Sequence, residues 1–227
     1  MTRRKTGDQG LGRRLLALYL GLVLFGVSIA LLVVSRLGLD SWDVFHQGLA
    51  QRTGLGLGSI VILVGAIVLA LWIPLKERPG IGTVSNVVLV GLAIDGALVF
   101  LPEPSVVIWQ VLFMVAGIVL NAVATALYIG AGLGPGPRDG LMTGLAKRGH
   151  SIRLVRTSIE VVVLAAGWLL GGTVGIGTVL YAISIGPLVH YLLPRLTIVG
   201  RSPSEPSENA PCASPPPYFA ASGADHD

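Results

Sequence analysis

Two aspartates, Asp43 and Asp139, stand 96 positions apart in closely similar surroundings, Gly38-Leu39-Asp40-Ser41-Trp42-Asp43-Val44-Phe45-His46-Gln47-Gly48-Leu49-Ala50 and Gly134-Pro135-Gly136-Pro137-Arg138-Asp139-Gly140-Leu141-Met142-Thr143-Gly144-Leu145-Ala146. Both segments lie between long apolar runs, where an ionisable group is costly unless it is paired, hydrated or in use. A repeated acid with Trp42, His46 and Arg138 beside it has the side chains needed to bind a polar solute or relay a proton. Trp42, Asp43, His46, Arg138 and Asp139, with Asn121 from a neighbouring apolar run, are therefore the candidate substrate path. The alternative for the acids is local: a carboxylate in the first turn of a short helix complements the helix dipole and caps free N–H groups. For Asn121, on one helix face with Thr125, the alternative is an interhelical hydrogen bond.

Asp95, Glu160 and His190 are three more ionisable groups within apolar runs and are candidates for proton coupling. Asp95 and His190 sit at matching places in the third and sixth runs, and Glu160 follows Arg156 at the i, i+4 spacing of a helical ion pair. The bland reading is that the first two reach the membrane interfaces and the third is a structural pair. Two Gly-Ile-Gly-Thr runs put Gly80, Gly82, Gly175 and Gly177 at helix starts, where they allow close packing or leave N–H groups free for an anion. No paired His/Glu metal motif, Ser/His set or phosphate loop is present. No catalytic residue, enzyme activity, metal or cofactor is expected.

The elements that must hold these residues follow from composition. Of 227 residues 52% are hydrophobic and only 12% are charged, too few charges to clothe a soluble domain of this size. Apolar stretches of about 20 residues, each long enough for a hydrocarbon core of about 30 Å, recur along the chain. The expected fold is all-α and polytopic, with six transmembrane helices near Leu15 to Ser35, Leu57 to Leu75, Gly80 to Leu101, Val106 to Gly130, Leu154 to Leu170 and Val174 to Leu193. Between the first and second, and the fourth and fifth, lie the two motif segments, short helices of about 12 residues and 18 Å that cannot span. They lie at the interface or enter the membrane as re-entrant half-helices. Asp40 is the expected N-cap of the first, and Gly136 with Pro137 the expected cap and first position of the second.

With the N-terminus inside, all 16 Lys and Arg residues except Arg36 and Arg52 fall on the cytoplasmic side. The expected location is thus the plasma membrane, multi-pass, with both termini cytoplasmic. The net charge of +4 is topogenic and favours anionic lipid rather than nucleic acid. Residues 1–14 read as a basic cytoplasmic segment, 15–101 and 106–194 as two membrane repeats, and 201–227, rich in Pro and Ser and holding Cys212, as a disordered cytoplasmic tail.

The repeats are related by the same 96-residue offset, which also matches Gly21 with Gly117, Gly38 with Gly134, Gly48 with Gly144, Arg52 with Arg148 and Trp72 with Trp168. After a one-residue deletion, Gly80 to Val84 aligns with Gly175 to Val179 and Gly91 with Gly186. Three spans per half would make the second half enter the membrane from the opposite side, an arrangement that recurs in secondary transporters.

The motifs at Gly38 to Leu49, Pro79 to Thr83, Gly136 to Met142, Arg153 to Thr157 and Gly171 to Val179 resemble those of the YczE/YitT-type bacterial integral membrane proteins, the YczE-like branch above all. The resemblance covers roughly residues 12 to 196 and implies an integral membrane protein of no settled activity. The leading expectation for function is a secondary transporter or exporter of a small polar solute, held in the lipid bilayer. A non-transporting membrane protein that recruits or regulates a partner at the cytoplasmic face is the alternative. The sequence leaves a homo-oligomer open.

Overall fold

The structure is a computed structural model that describes residues 6–149 and 151–198. The basic residues Arg3, Arg4 and Lys5 and the tail 201–227 with Cys212 lie outside the described residues. Every regular element among the described residues is a helix: α1 (Thr6–Ser35), α2 (Ser41–Thr53), α3 (Leu57–Ala70), α4 (Trp72–Leu75), α5 (Ile81–Phe100), α6 (Val107–Gly130), α7 (Pro137–Ala146), α8 (Ile152–Leu169) and α9 (Ile176–Leu196).

Five stretches are long and apolar enough to cross a membrane: Gly10–Ser35, Leu57–Leu75, Ile81–Phe100, Val107–Gly130 and Ile176–Leu196. The fifth expected span corresponds to α8, which is not among those five stretches: it is only 18 residues, about 27 Å, and carries Arg153, Arg156 and Glu160 in its first half. Those three charges keep it below the apolarity of the others. The second expected span is broken at Leu71 into α3 and α4. Pro74 explains the break, since it lacks the N–H that would bond Ala70 and its ring crowds that carbonyl.

Helix α1 is the central strut, packed against α5 and α6. Its Leu18, Leu22 and Ile29 are fully buried with Val90 and Ile94 of α5 and Tyr128 of α6. At the crossing of α1 and α6, Gly21 faces the backbone of Ala124 and Tyr128, while its duplicate Gly117 faces Ser28 and Leu32. Small residues let helix backbones approach where water supplies no drive for association. The outer surface is apolar, with Phe100 86% and Val99 79% exposed, as contact with lipid requires.

The contacts pair by the offset read from the sequence. Helix α5 packs on α1 as α9 does on α6, and α2 packs on α8 as α7 does, less extensively, on α3 and α4. The segment after α1 runs against the start of α9, and the segment after α6 against the start of α5. Gly177 N–H donates to the Leu37 carbonyl at 2.8 Å, and Gly82 N–H to the Leu133 carbonyl at 2.9 Å. Gly38 and Gly134, at φ +126° and +130°, make the turns that bring those carbonyls round, a region L-residues with a Cβ avoid. Arg52 and Arg148 are equivalent in structure too: Arg52 Nε donates to the Leu170 carbonyl at 3.2 Å and Arg148 Nη2 to the Pro74 carbonyl at 2.8 Å. Each satisfies an acceptor left free at a helix end in the other half.

The contact between α3 and α5 has no equal in the second half. Helices α3 and α5 pack closely, with Gly91 against the Gly58 carbonyl and Ile62. Their counterparts α8 and α9 scarcely touch, and an added Cβ at Gly186, the duplicate of Gly91, would meet no atom within 4 Å.

Candidate functional site

The site forms where the first turns of α2 and α7 meet. Helix α2 starts at Ser41 because Asp40 caps it, its Oδ1 accepting from Asp43 N–H at 2.7 Å. Such a cap stabilises a helix by about 1 kcal/mol. Helix α7 starts with Pro137 after Gly136, which sets Arg138 at its second position and Asp139 at its third. Trp72 anchors α7: its buried ring lies against Gly140, and Nε1 donates to the Pro137 carbonyl at 3.0 Å.

Arg138 joins the two helices. Its Nη1 donates to Asp40 Oδ2 and its Nη2 to Asp43 Oδ1, each at 3.2 Å, and its guanidinium carbon stands 5.2 Å from the centre of the Trp42 ring. A planar fork on two carboxylates with an aromatic face beside it suits Arg and would not suit Lys. Asp43 is 2% exposed, and His46 Nδ1 lies 3.3 Å from its Oδ1, one helical turn on.

Beside this cluster lies a cavity of about 890 Å³, bounded by α1, α2, α3, α5, α6, α7, α8 and α9. Asp40, Trp42, His46, Asn121, Arg138, Asp139, Arg156, Glu160, Tyr181 and His190 are on its wall. Asn121 Nδ2 donates to Ser28 Oγ at 2.9 Å, and its Oδ1 accepts from the Tyr181 hydroxyl at 2.9 Å, tying α1, α6 and α9 together. Asp139 accepts one hydrogen bond, from the Tyr128 hydroxyl at 3.4 Å, and has no ion-pair partner among the described residues. Trp42 is 7% exposed and its Nε1–H is buried with no partner, a condition that costs roughly 1–3 kcal/mol.

The path residues Trp42, Asp43, His46, Arg138, Asp139 and Asn121 thus come together around one cavity, with Asp43 behind Arg138 rather than on the wall. The three coupling candidates do not converge. Glu160 pairs with Arg156 at 3.1 Å, at the cavity and half-exposed; His190 is on the wall near the end of α9. Asp95 is elsewhere, its Oδ1 accepting from Gly58 N–H at 2.7 Å at the start of α3. The glycines Gly80, Gly82, Gly175 and Gly177 stand at close backbone crossings, where an added Cβ would collide with the Leu133 or Leu37 carbonyl. The N–H groups of Gly82 and Gly177 are already donated to those carbonyls.

In the sequence Asp40 reads only as a cap, and Tyr128, Tyr181 and Ser28 do not stand out as site residues. Tyr181 had a signal: the shortened offset aligns it with Asn86, also on the cavity wall, so the polar position was duplicated although the residue was not.

An apolar helical exterior around a cavity whose largely apolar wall carries a few charged side chains defines a helical membrane protein. Residues 12–194 match the model of a family of unknown function, DUF6198, and the chain belongs to that family. It is 41% identical over 192 residues to an uncharacterized protein of Haemophilus influenzae, covering 84% of this chain and 87% of that one. It is 34% identical over 180 residues to the uncharacterized membrane protein YczE of Bacillus subtilis, covering 78% and 84%. A third relative, the uncharacterized protein YyaS of Bacillus subtilis, is 27% identical over 183 residues, covering 77% and 90%. No solved structure matches the chain.

Proposed function

We propose that the protein is a secondary transporter or exporter of a small polar solute, built of two inverted three-helix halves in the bacterial plasma membrane with both termini cytoplasmic. In this reading α8 also crosses, making six spans, with its charged first half at the inner interface and along the cavity. Helices α2 and α7 are re-entrant half-helices that enter from opposite sides, with their N-terminal ends meeting at mid-membrane across Arg138. Transporter sites are commonly built from such broken helices.

The observation that carries the reading is the unequal state of the two halves. One copy of a duplicated helix pair, α3 with α5, is closed, and the other, α8 with α9, is parted beside the cavity. If the halves exchange these states, the cavity closes toward one side and opens toward the other. Arg138, belonging to one half and bound to Asp40 and Asp43 of the other, is the tie that such an exchange has to break. Protonation of the buried carboxylates would loosen it, so this cluster, rather than Asp95, is the assigned coupling group.

The test begins with metabolites that change between the inside and outside of cells with and without the protein, followed by flux of the best candidate in proteoliposomes. Asp43→Asn keeps the Asp40 partner for Arg138 and is expected to leave the protein monodisperse while lowering flux at least tenfold. Unchanged flux in the variant overturns the site, and no flux of any solute by the wild type overturns transport.

A further inference from the structure

The duplication exposes a missing charge. Asp43 holds the guanidinium of Arg138. Its duplicate Asp139 should by the same 96-residue rule face position 42, and position 42 is Trp. Asp139 is left with the Tyr128 hydroxyl at 3.4 Å and no cation among the described residues, on the wall of a cavity large enough for an organic molecule. Its place in the first turn of α7 gives it the helix dipole, equivalent to roughly half a positive charge, which leaves the carboxylate only partly compensated. The surroundings do not make up the rest. Asp40 and Glu160 share the wall, Asp43 backs Arg138, and the two wall arginines are already engaged, Arg138 by both α2 aspartates and Arg156 by Glu160.

Independently, the Trp42 indole on the same wall keeps a buried N–H with no acceptor. Tyr128 and Phe25 give that wall aromatic surface beyond Trp42, whose ring already faces Arg138, and aromatic faces attract cations. We infer that the cavity binds a small organic cation, a protonated amine in class, with its ammonium on Asp139 in the seat that the duplicate of Arg138 would have filled. An acceptor atom on such a molecule would in addition satisfy the Trp42 N–H. This rests on the transport reading only for what happens after binding; the site itself does not depend on it.

Three probes with the same apolar body separate charge from shape: phenethylammonium, phenylacetate and 2-phenylethanol. Their binding to the full chain in lipid nanodiscs is measured by calorimetry. Phenethylammonium is expected to bind at least tenfold more tightly than either of the others. Asp139→Asn should remove at least tenfold of that affinity, and Asp139→Glu should retain most of it, which separates loss of charge from loss of fold. Equal affinities, a preference for phenylacetate, no binding of any probe, or full affinity in Asp139→Asn would each overturn the cation site. Proteoliposome flux then divides the two claims. Binding that depends on Asp139 with no flux of any solute keeps the site and sinks transport; flux of another solute with no binding of the probes keeps transport and sinks the site.

Discussion

At the scale of single residues, Arg138 ties the first turns of α2 and α7 through Asp40 and Asp43, each at 3.2 Å. Taking one partner out of a buried ion pair costs about 3–5 kcal/mol, because the charge left behind is uncompensated. Arg138→Gln strands both carboxylates, whereas Asp43→Asn keeps the pair with Asp40. The melting temperature of Arg138→Gln should therefore fall below that of Asp43→Asn; equal melting temperatures for the two variants and the wild type would show that the tie carries no stability. The chemistry of this cluster was partly legible. A duplicated acid pointed to Asp43 and Asp139, and the Asp40 cap could be read from helix-start preferences. The bond from Arg138 to Asp40 and Asp43 was not, because it spans residues 95 and more apart and exists only once two short helices are packed end toward end.

At the scale of elements, hydropathy was enough for five spans and helix-start signals were enough for both short helices. The α3–α4 break followed from Pro74, a local cause that a 19-residue window averages away. What a duplication in sequence could not tell is whether its copies share one conformation, since identical glycines serve a closed contact at Gly91 and an open one at Gly186. The two states have a direct test. Ile62 and Gly91 touch across α3 and α5, and their duplicates are Ser158 and Gly186 in α8 and α9. With Cys212 replaced by Ser, a Ser158→Cys/Gly186→Cys pair should form a disulfide only when α8 closes on α9, since the sulfurs need Cα atoms within about 7 Å. Oxidation should stop flux and reduction should restore it. A disulfide that forms fully while flux continues would rule out closure of this pair as a step in transport.

At the scale of the whole molecule, the decisive quantity is the number of crossings, because it fixes whether the halves are inverted. Contacts between connections already group them: Arg36 with Glu103 and Arg52 with the end of α8 on one side, Arg14 with the end of α6, Lys147 with Glu77 and Arg148 with Pro74 on the other. The basic residues favour the second group as cytoplasmic. If α8 crosses, single cysteines at Thr53, Ser105 and Val174, in a chain whose Cys212 is replaced, should react with a membrane-impermeant maleimide in intact spheroplasts. Cysteines at Pro79, Ser151 and Thr197 should react only after permeabilisation. If α8 instead lies along the membrane surface, Ser151 and Val174 fall on the same inner side and Thr197 becomes accessible from outside, which makes five spans and ends alternating access between inverted halves. Should Thr53 and Ser151 label from the same side, the halves are parallel and α2 and α7 cannot enter from opposite faces. The contact of Arg138 with Asp40 and Asp43 favours the first outcome, since two short helices from opposite faces can bring their N-terminal ends together only inside the membrane, where an ion pair screened from water holds the halves in register.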